Sequence, residues 1–258
     1  MRKEINEIIN IISKPYMKIL PGNIAFSFMM AILPIISVIV FIMNSLKISP
    51  IININDIIPK PVIEMILIIL NGNSINGIIF FIIAIITSSA GMDALIIASN
   101  VIYENESISY LKRKAISLFL TLLIIMMIII NFGILVVGDK ILNLIIIKFN
   151  LNISAILFNI IKWPIAVLLI FIIIKLIYIV APCTKIDFKI VNKGSIIATL
   201  LLILSSLIYS LYVSSFLYID RYGILSNIIV LLIWLYILSF ILVLGTAINV
   251  NEYKKTLK

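Results

Sequence analysis

Histidine is absent from this chain and cysteine occurs once, at Cys183. Without histidine, the commonest general base, the near-neutral pH switch and the usual zinc ligand are all missing. One cysteine excludes an intramolecular disulfide. Charge is scarce at 12% of residues, and acids are scarcest, with eleven Asp and Glu against twenty Lys and Arg. Most of those acids are scattered: Asp56, Glu64, Glu104, Glu106, Asp139, Asp187, Asp220 and Glu252. No HExxH, GxSxG or phosphate-binding glycine loop is present, and no two acids sit close together within an apolar run. Metal-dependent phosphodiester chemistry wants clustered carboxylates or histidines. An enzyme is therefore not expected, and neither is a cofactor or a bound metal.

What is abundant is apolar sequence, at 63% of residues with a mean hydropathy of +1.28. A helix rises about 1.5 Å per residue, so roughly 20 apolar residues cross a hydrocarbon core of about 30 Å. Six runs reach that length, at 24–46, 77–99, 115–137, 156–179, 194–217 and 224–247. The fold class they predict is all-α: a polytopic bundle of six transmembrane helices forming one membrane domain over 1–258. In residues 1–20, Ile5, Ile8, Ile9, Ile12, Tyr16 and Ile19 recur at helical spacing, with Arg2, Lys3, Glu4, Glu7, Lys14 and Lys18 mostly elsewhere. That pattern predicts an amphipathic helix lying in the interface rather than a cleavable signal peptide.

Basic residues set the orientation. Fourteen of the twenty lie in the N-terminal segment, around Lys112–Lys114, around Lys175–Lys193 and at the C-terminus. The positive-inside rule then places both termini in the cytoplasm. The net charge of +9 points to anionic lipid headgroups on that face and not to nucleic acid. A homo-oligomer is compatible with the composition. Two outer connections, 62–70 and 139–150, are too apolar for ordinary loops and too short to span. The segment around Asp220–Gly223 predicts a tight hairpin between the last two spans.

Asp93 is the only acid well inside a predicted span. A carboxylate costs at least about 2.5–3.5 kcal/mol at the centre of an inserted helix, so it should face protein or water, or be protonated. Ser88, Ser89, Asn100 and Asn131 are the polar residues that join it as candidate substrate-binding positions. Ala84, Ser88, Gly91, Ala94 and Ala98 recur at three- and four-residue spacing, which lets helices approach closely. Pro34 lies mid-way along the first run and predicts a kink. Tyr209, Tyr212 and Trp234 are deep enough to line a groove, whereas Tyr218 and Tyr222 suit interface anchoring.

Four segments, in order, resemble the YihY / virulence factor BrkB family of bacterial inner-membrane proteins. They are Ala25-Phe26-Ser27-Phe28 with Ala31-Ile32-Leu33-Pro34; Ser88-Ser89-Ala90-Gly91 with Asn100-Val101-Ile102-Tyr103; Tyr178-Ile179-Val180-Ala181-Pro182 with Lys193-Gly194; and Tyr222-Gly223-Ile224-Leu225 with Trp234, Gly245 and Asn249. The resemblance implies a six-helix protein of the bacterial cytoplasmic membrane with envelope roles. Pro34, Gly91, Tyr222, Gly223, Gly245 and Asn249 carry structural roles on that reading. Some members have borne a ribonuclease BN label, against which the residue inventory argues. The family commonly has Glu where this chain has Ala247, and an Arg where it has Ile108 or its neighbours. The expected function is a transporter or lipid-handling conduit with a polar site near Asp93. The alternative is a non-transporting scaffold or accessory subunit of an envelope-assembly complex.

Overall fold

The computed structural model describes residue 7 and residues 9–45, 74–105, 108–132, 134, 155–216 and 223–256, some helix residues by their backbone alone. Among these residues there are no strands. Six long helices follow one another: α1 (Tyr16–Ser45), α2 (Ser74–Tyr103), α3 (Tyr110–Phe132), α4 (Ala155–Val180), α5 (Asn192–Phe216) and α6 (Gly223–Thr256). Helix is the enforced choice here, because a backbone crossing lipid must satisfy its own hydrogen bonds. Five of the six, α2 to α6, are long and apolar enough to cross a membrane. In α1 the described apolar stretch is shorter, Tyr16–Ile32.

The predicted interfacial helix meets a break. Residues 9–12 make one helical turn, the chain bends at Ser13–Pro15, and Tyr16–Leu20 already belong to α1. Lys14-Pro15 explains the break, since proline has no N–H to donate and disfavours helix in the residue before it. The helix of α1 continues past Pro34, whose side chain lies outside the described residues, as do 62–70, 139–150 and Tyr222.

The chain divides into two compact units. One comprises Met1–Met30, Ala90–Ser117 and Phe171–Lys258; the other comprises Ala31–Ser89 and Leu118–Ile170. In the second, Ala84 and Ile125 are buried together, with Ile85 and Ile129 packed against them.

Polar contacts in the first unit gather alternate helix ends. Asn100 and Asn105, at the end of α2, donate to the carbonyls of Ala181 (3.1 Å) and Pro182 (2.8 Å), just past the end of α4. The Ala181 carbonyl also accepts the Cys183 thiol at 3.4 Å. At the start of α5, Val191 occupies the cap position and has no polar side chain to offer. Asn249 of α6 substitutes for it, its Oδ1 accepting the N–H of Gly194 at 3.0 Å. Lys14 before α1 and Lys254 near the end of α6 both reach Glu104 after α2.

Packing at this end depends on two close approaches. Buried Tyr178 of α4 donates its hydroxyl to Leu242 O at 3.0 Å, and a Cβ on Gly245 would strike that ring. A Cβ on Gly194 would strike the Asn249 side chain and the Gly245 carbonyl. Among the described residues, those of α5 that are buried are small, Gly194, Ser195, Ala198 and Thr199, so it packs closely along α6. Its other side exposes Leu200, Leu204, Leu207, Ile208 and Leu211, a row suited to lipid.

Candidate functional site

Asp93 sits ten residues before the end of α2, about 15 Å along the helix. It is not alone. Arg113, in the first turn of α3, directs its Nε at Asp93 Oδ1 across 2.7 Å. The distance is that of a charge-assisted hydrogen bond. Ser109 precedes α3 and its carbonyl accepts the Arg113 N–H at 3.1 Å, so the helix start fixes where the guanidinium leaves the backbone. The guanidinium carbon also lies 5.7 Å from the Tyr110 ring centroid, three residues back. The pair remains partly accessible, with 26% of the Arg113 side chain and 20% of the Asp93 side chain exposed. Gly91, Met92, Ala94 and Leu95 around it are buried.

Glu104 forms a second ionic junction. The chain leaves α2 through a left-handed residue, with Asn105 N–H on Asn100 O (3.0 Å) and Glu104 N–H on Val101 O (3.3 Å). That is the Schellman ending, in which glycine usually takes the left-handed position. Here Glu104 takes it, with φ of 57°. Its carboxylate accepts Lys14 Nζ at 2.8 Å and Lys254 Nζ at 3.2 Å. The bond from Lys14, then that from Lys254, holds the Glu104 carboxyl below its usual range, and Lys14 is raised in turn chiefly by Glu104. Glu252 lies between Lys193 (3.1 Å) and Lys255 (2.9 Å) in the same manner. Lys112, Lys185 and Lys189 are exposed.

Cys183 follows Pro182 with φ of 55°. Burial pushes its thiol up, against the opposing effects of Asn100 and Lys112. Among the described residues no group of three His, Cys, Asp or Glu is placed to hold a metal ion.

A family model described as Virulence factor BrkB matches residues 17–257. The chain belongs to the BrkB family. It is 30% identical over 191 residues to the putative ribonuclease-like protein YfkH of Bacillus subtilis, covering 71% of this chain and 69% of that relative. It is 32% identical over 95 residues to the UPF0761 membrane protein IL2447 of Idiomarina loihiensis, covering 36% of this chain and 34% of that relative. No solved structure matches. With five helices able to cross a bilayer, this is a multi-pass membrane protein of the BrkB family.

In this BrkB-family chain the predicted polar residues have distinct surroundings. Asp93 and Asn100 belong to the first unit; Ser88, Ser89 and Asn131 belong to the second. Ser88 and Ser89 are buried and bond back to the carbonyls of Ile85 and Ile86. Asn131 donates to Met127 O, while its buried Oδ1 lacks a partner. Asn100 clamps a helix end. Tyr209 and Trp234 stack on each other, centroids 4.6 Å apart. Arg113 is the functional candidate the sequence pattern did not expose, since it stood there only as one of the orienting cations. Its signal was a hairpin connection of six residues, Glu104–Ser109, bringing a cation into reach of the lone acid in the apolar run at 77–99.

Proposed function

We propose that this BrkB-family protein is a transporter or lipid-handling conduit of the bacterial cytoplasmic membrane. On this reading it is one membrane domain crossing six times, with both termini in the cytoplasm. The gathering of alternate helix ends around Glu104, Asn100 and Asn249 supports the even count. The basic residues at that end support the orientation.

One observation carries the functional reading: a partly exposed ion pair, Asp93–Arg113, set between two apolar helices. Partial exposure screens the pair, so opening it costs on the order of 1 kcal/mol. A guanidinium presents parallel donors that fit a phosphate or carboxylate. An arriving anionic group can therefore take Arg113 while water takes the freed Asp93, and the exchange runs close to balance. Such a pair admits an anion without trapping it. Purified protein in proteoliposomes should speed the flipping of fluorescent phosphatidylglycerol, read by quenching with an external reductant. Arg113→Gln should return the rate to that of protein-free vesicles. Equal rates for wild type and both Arg113→Gln and Asp93→Asn would remove the pair from the mechanism.

The scaffold reading rests on a different observation: Ser88, Ser89 and Asn100 already use their polar groups within the protein. A folded protein that moves no lipid or solute would favour it. The chain is not proposed to be a nuclease, although YfkH bears a ribonuclease-like name. The sequence holds no histidine, and general base or metal chemistry would need other groups in its place. RNA incubated with the protein and Mg²⁺ or Mn²⁺ should remain intact. Hydrolysis abolished by one acidic substitution would reverse that assignment.

A further inference from the structure

Lys175 lies in the apolar helix α4, five residues before its end, within the stretch Lys162–Val180 that is long and apolar enough to cross a membrane. A cation there is costly unless its ammonium reaches the interface or meets an anion. Among the described residues no carboxylate pairs with it, although Glu104, Glu252 and Asp93 each hold a cation nearby in sequence or space. Asp187, next to Phe188 in the loop between α4 and α5, makes no ion pair with it either. Instead the Lys175 ammonium lies 5.9 Å from the ring centroids of both Phe171, one turn back, and Phe188. Two aromatic faces orient the charge but do not neutralise it.

The surroundings are those of an amphiphile site. Phe171 and Lys175 lie four residues apart, so they share one face of α4. Phe188 is 62% exposed. The two rings form an apolar strip ending in a cation, and exposed Lys185 and Lys189 flank Phe188. A free phosphate would use the cation and leave the strip idle. A zwitterionic headgroup would bring its own cation toward three lysines. We propose that Lys175, between Phe171 and Phe188, binds the phosphate of an anionic phospholipid whose acyl chain lies along Phe171. The proposal needs only that α4 cross the membrane, and it does not involve the Asp93–Arg113 pair.

The test is the melting temperature of the full chain in neutral detergent. Phosphatidylglycerol, phosphatidylcholine or inorganic phosphate is added at matched concentration. Phosphatidylglycerol should raise the wild-type melting temperature by a few degrees, and the other two should not. Lys175→Gln should lose at least half of that rise, whereas Lys175→Arg should keep it. If Lys175→Gln does not fold, Phe188→Leu carries the test: it keeps apolar volume, removes the ring face, and must show a smaller rise. The proposal fails if phosphatidylcholine or phosphate matches phosphatidylglycerol. It also fails if whichever of the two variants folds keeps the full response.

Discussion

A carboxylate in an apolar helix is tolerated when something answers its charge, and for Asp93 the answer is Arg113 at 2.7 Å. Asp93→Asn leaves that guanidinium without its anion in a partly buried place. It should lower the melting temperature, and Arg113→Gln alone should do likewise. The double variant should lose less than the sum, with a coupling of about 1 kcal/mol for a partly screened pair. Melting all four proteins in detergent measures that coupling, and strict additivity would remove the pair as a source of stability. The acid was legible in the sequence because it is the lone charge in its run. Its partner was not, because the depth at which two antiparallel helices pair is not written in either one. Asn100 shows the same limit: its polarity was visible, but the helix end it clamps lies 81 residues away. Ser88 and Ser89 satisfy themselves one turn back, a local habit of serine in helices that gives no hint of a ligand.

Helices of this length announce themselves, because roughly 20 consecutive apolar residues have few other uses. The predicted run at 156–179 and the observed α4 (Ala155–Val180) differ by a residue at each end. The larger differences fall where helices leave the apolar layer. The first helix begins at Tyr16 and not near 24, α3 begins at Tyr110 and not near 115, and α6 continues to Thr256 and not 247. Hydropathy marks the membrane's edge, whereas tertiary contacts mark the helix's edge. In α6 those contacts are Asn249 capping α5 and Tyr253 against the Tyr103 ring at 5.6 Å. Close packing of α4 on α6 rests on Gly245, where a methyl group would strike the Tyr178 hydroxyl. Gly245→Ala should therefore destabilise the protein by about 1–3 kcal/mol, as overpacking does. Adding Tyr178→Phe should recover part of the loss, because the atom nearest the new methyl is the one removed. A Gly245→Ala protein that melts like wild type would show that α4 and α6 tolerate separation.

Across the whole molecule, one exposed residue ties the start of α1 to the ends of α2 and α6. Glu104 occupies a left-handed conformation that costs a non-glycine residue about 1–2 kcal/mol, and bridges Lys14 and Lys254 from it. Glu104→Gln keeps the backbone cost and loses the charge, whereas Glu104→Gly loses both, so Gln should be the less stable variant at neutral pH. The Glu104 carboxyl is held below its ordinary range in the folded chain. Its stabilisation is thus complete above the unfolded value and fades as pH falls through the lower, folded one. The melting difference between wild type and Glu104→Gln should be full at about pH 7, should diminish as pH falls below the ordinary carboxylate range, and should shrink in about 1 M salt. The same end of the molecule carries Cys183, which makes topology testable without altering the native chain. If this end faces the cytoplasm, a membrane-impermeant maleimide added to intact cells should leave Cys183 unlabelled, and a permeant one should label it. Burial raises the thiol, so the permeant reaction should be slow near neutral pH and should quicken as pH rises. A cysteine at Ser226, in a Cys183→Ser background, supplies the opposite end. It lies 23 residues before Asn249 on α6, about 35 Å along the helix, and should label from outside. Rapid impermeant labelling of Cys183 with protection at 226 would invert the orientation while leaving the fold intact. Labelling of neither site by the impermeant reagent would place both helix ends on the inner side, and α6 could not then cross.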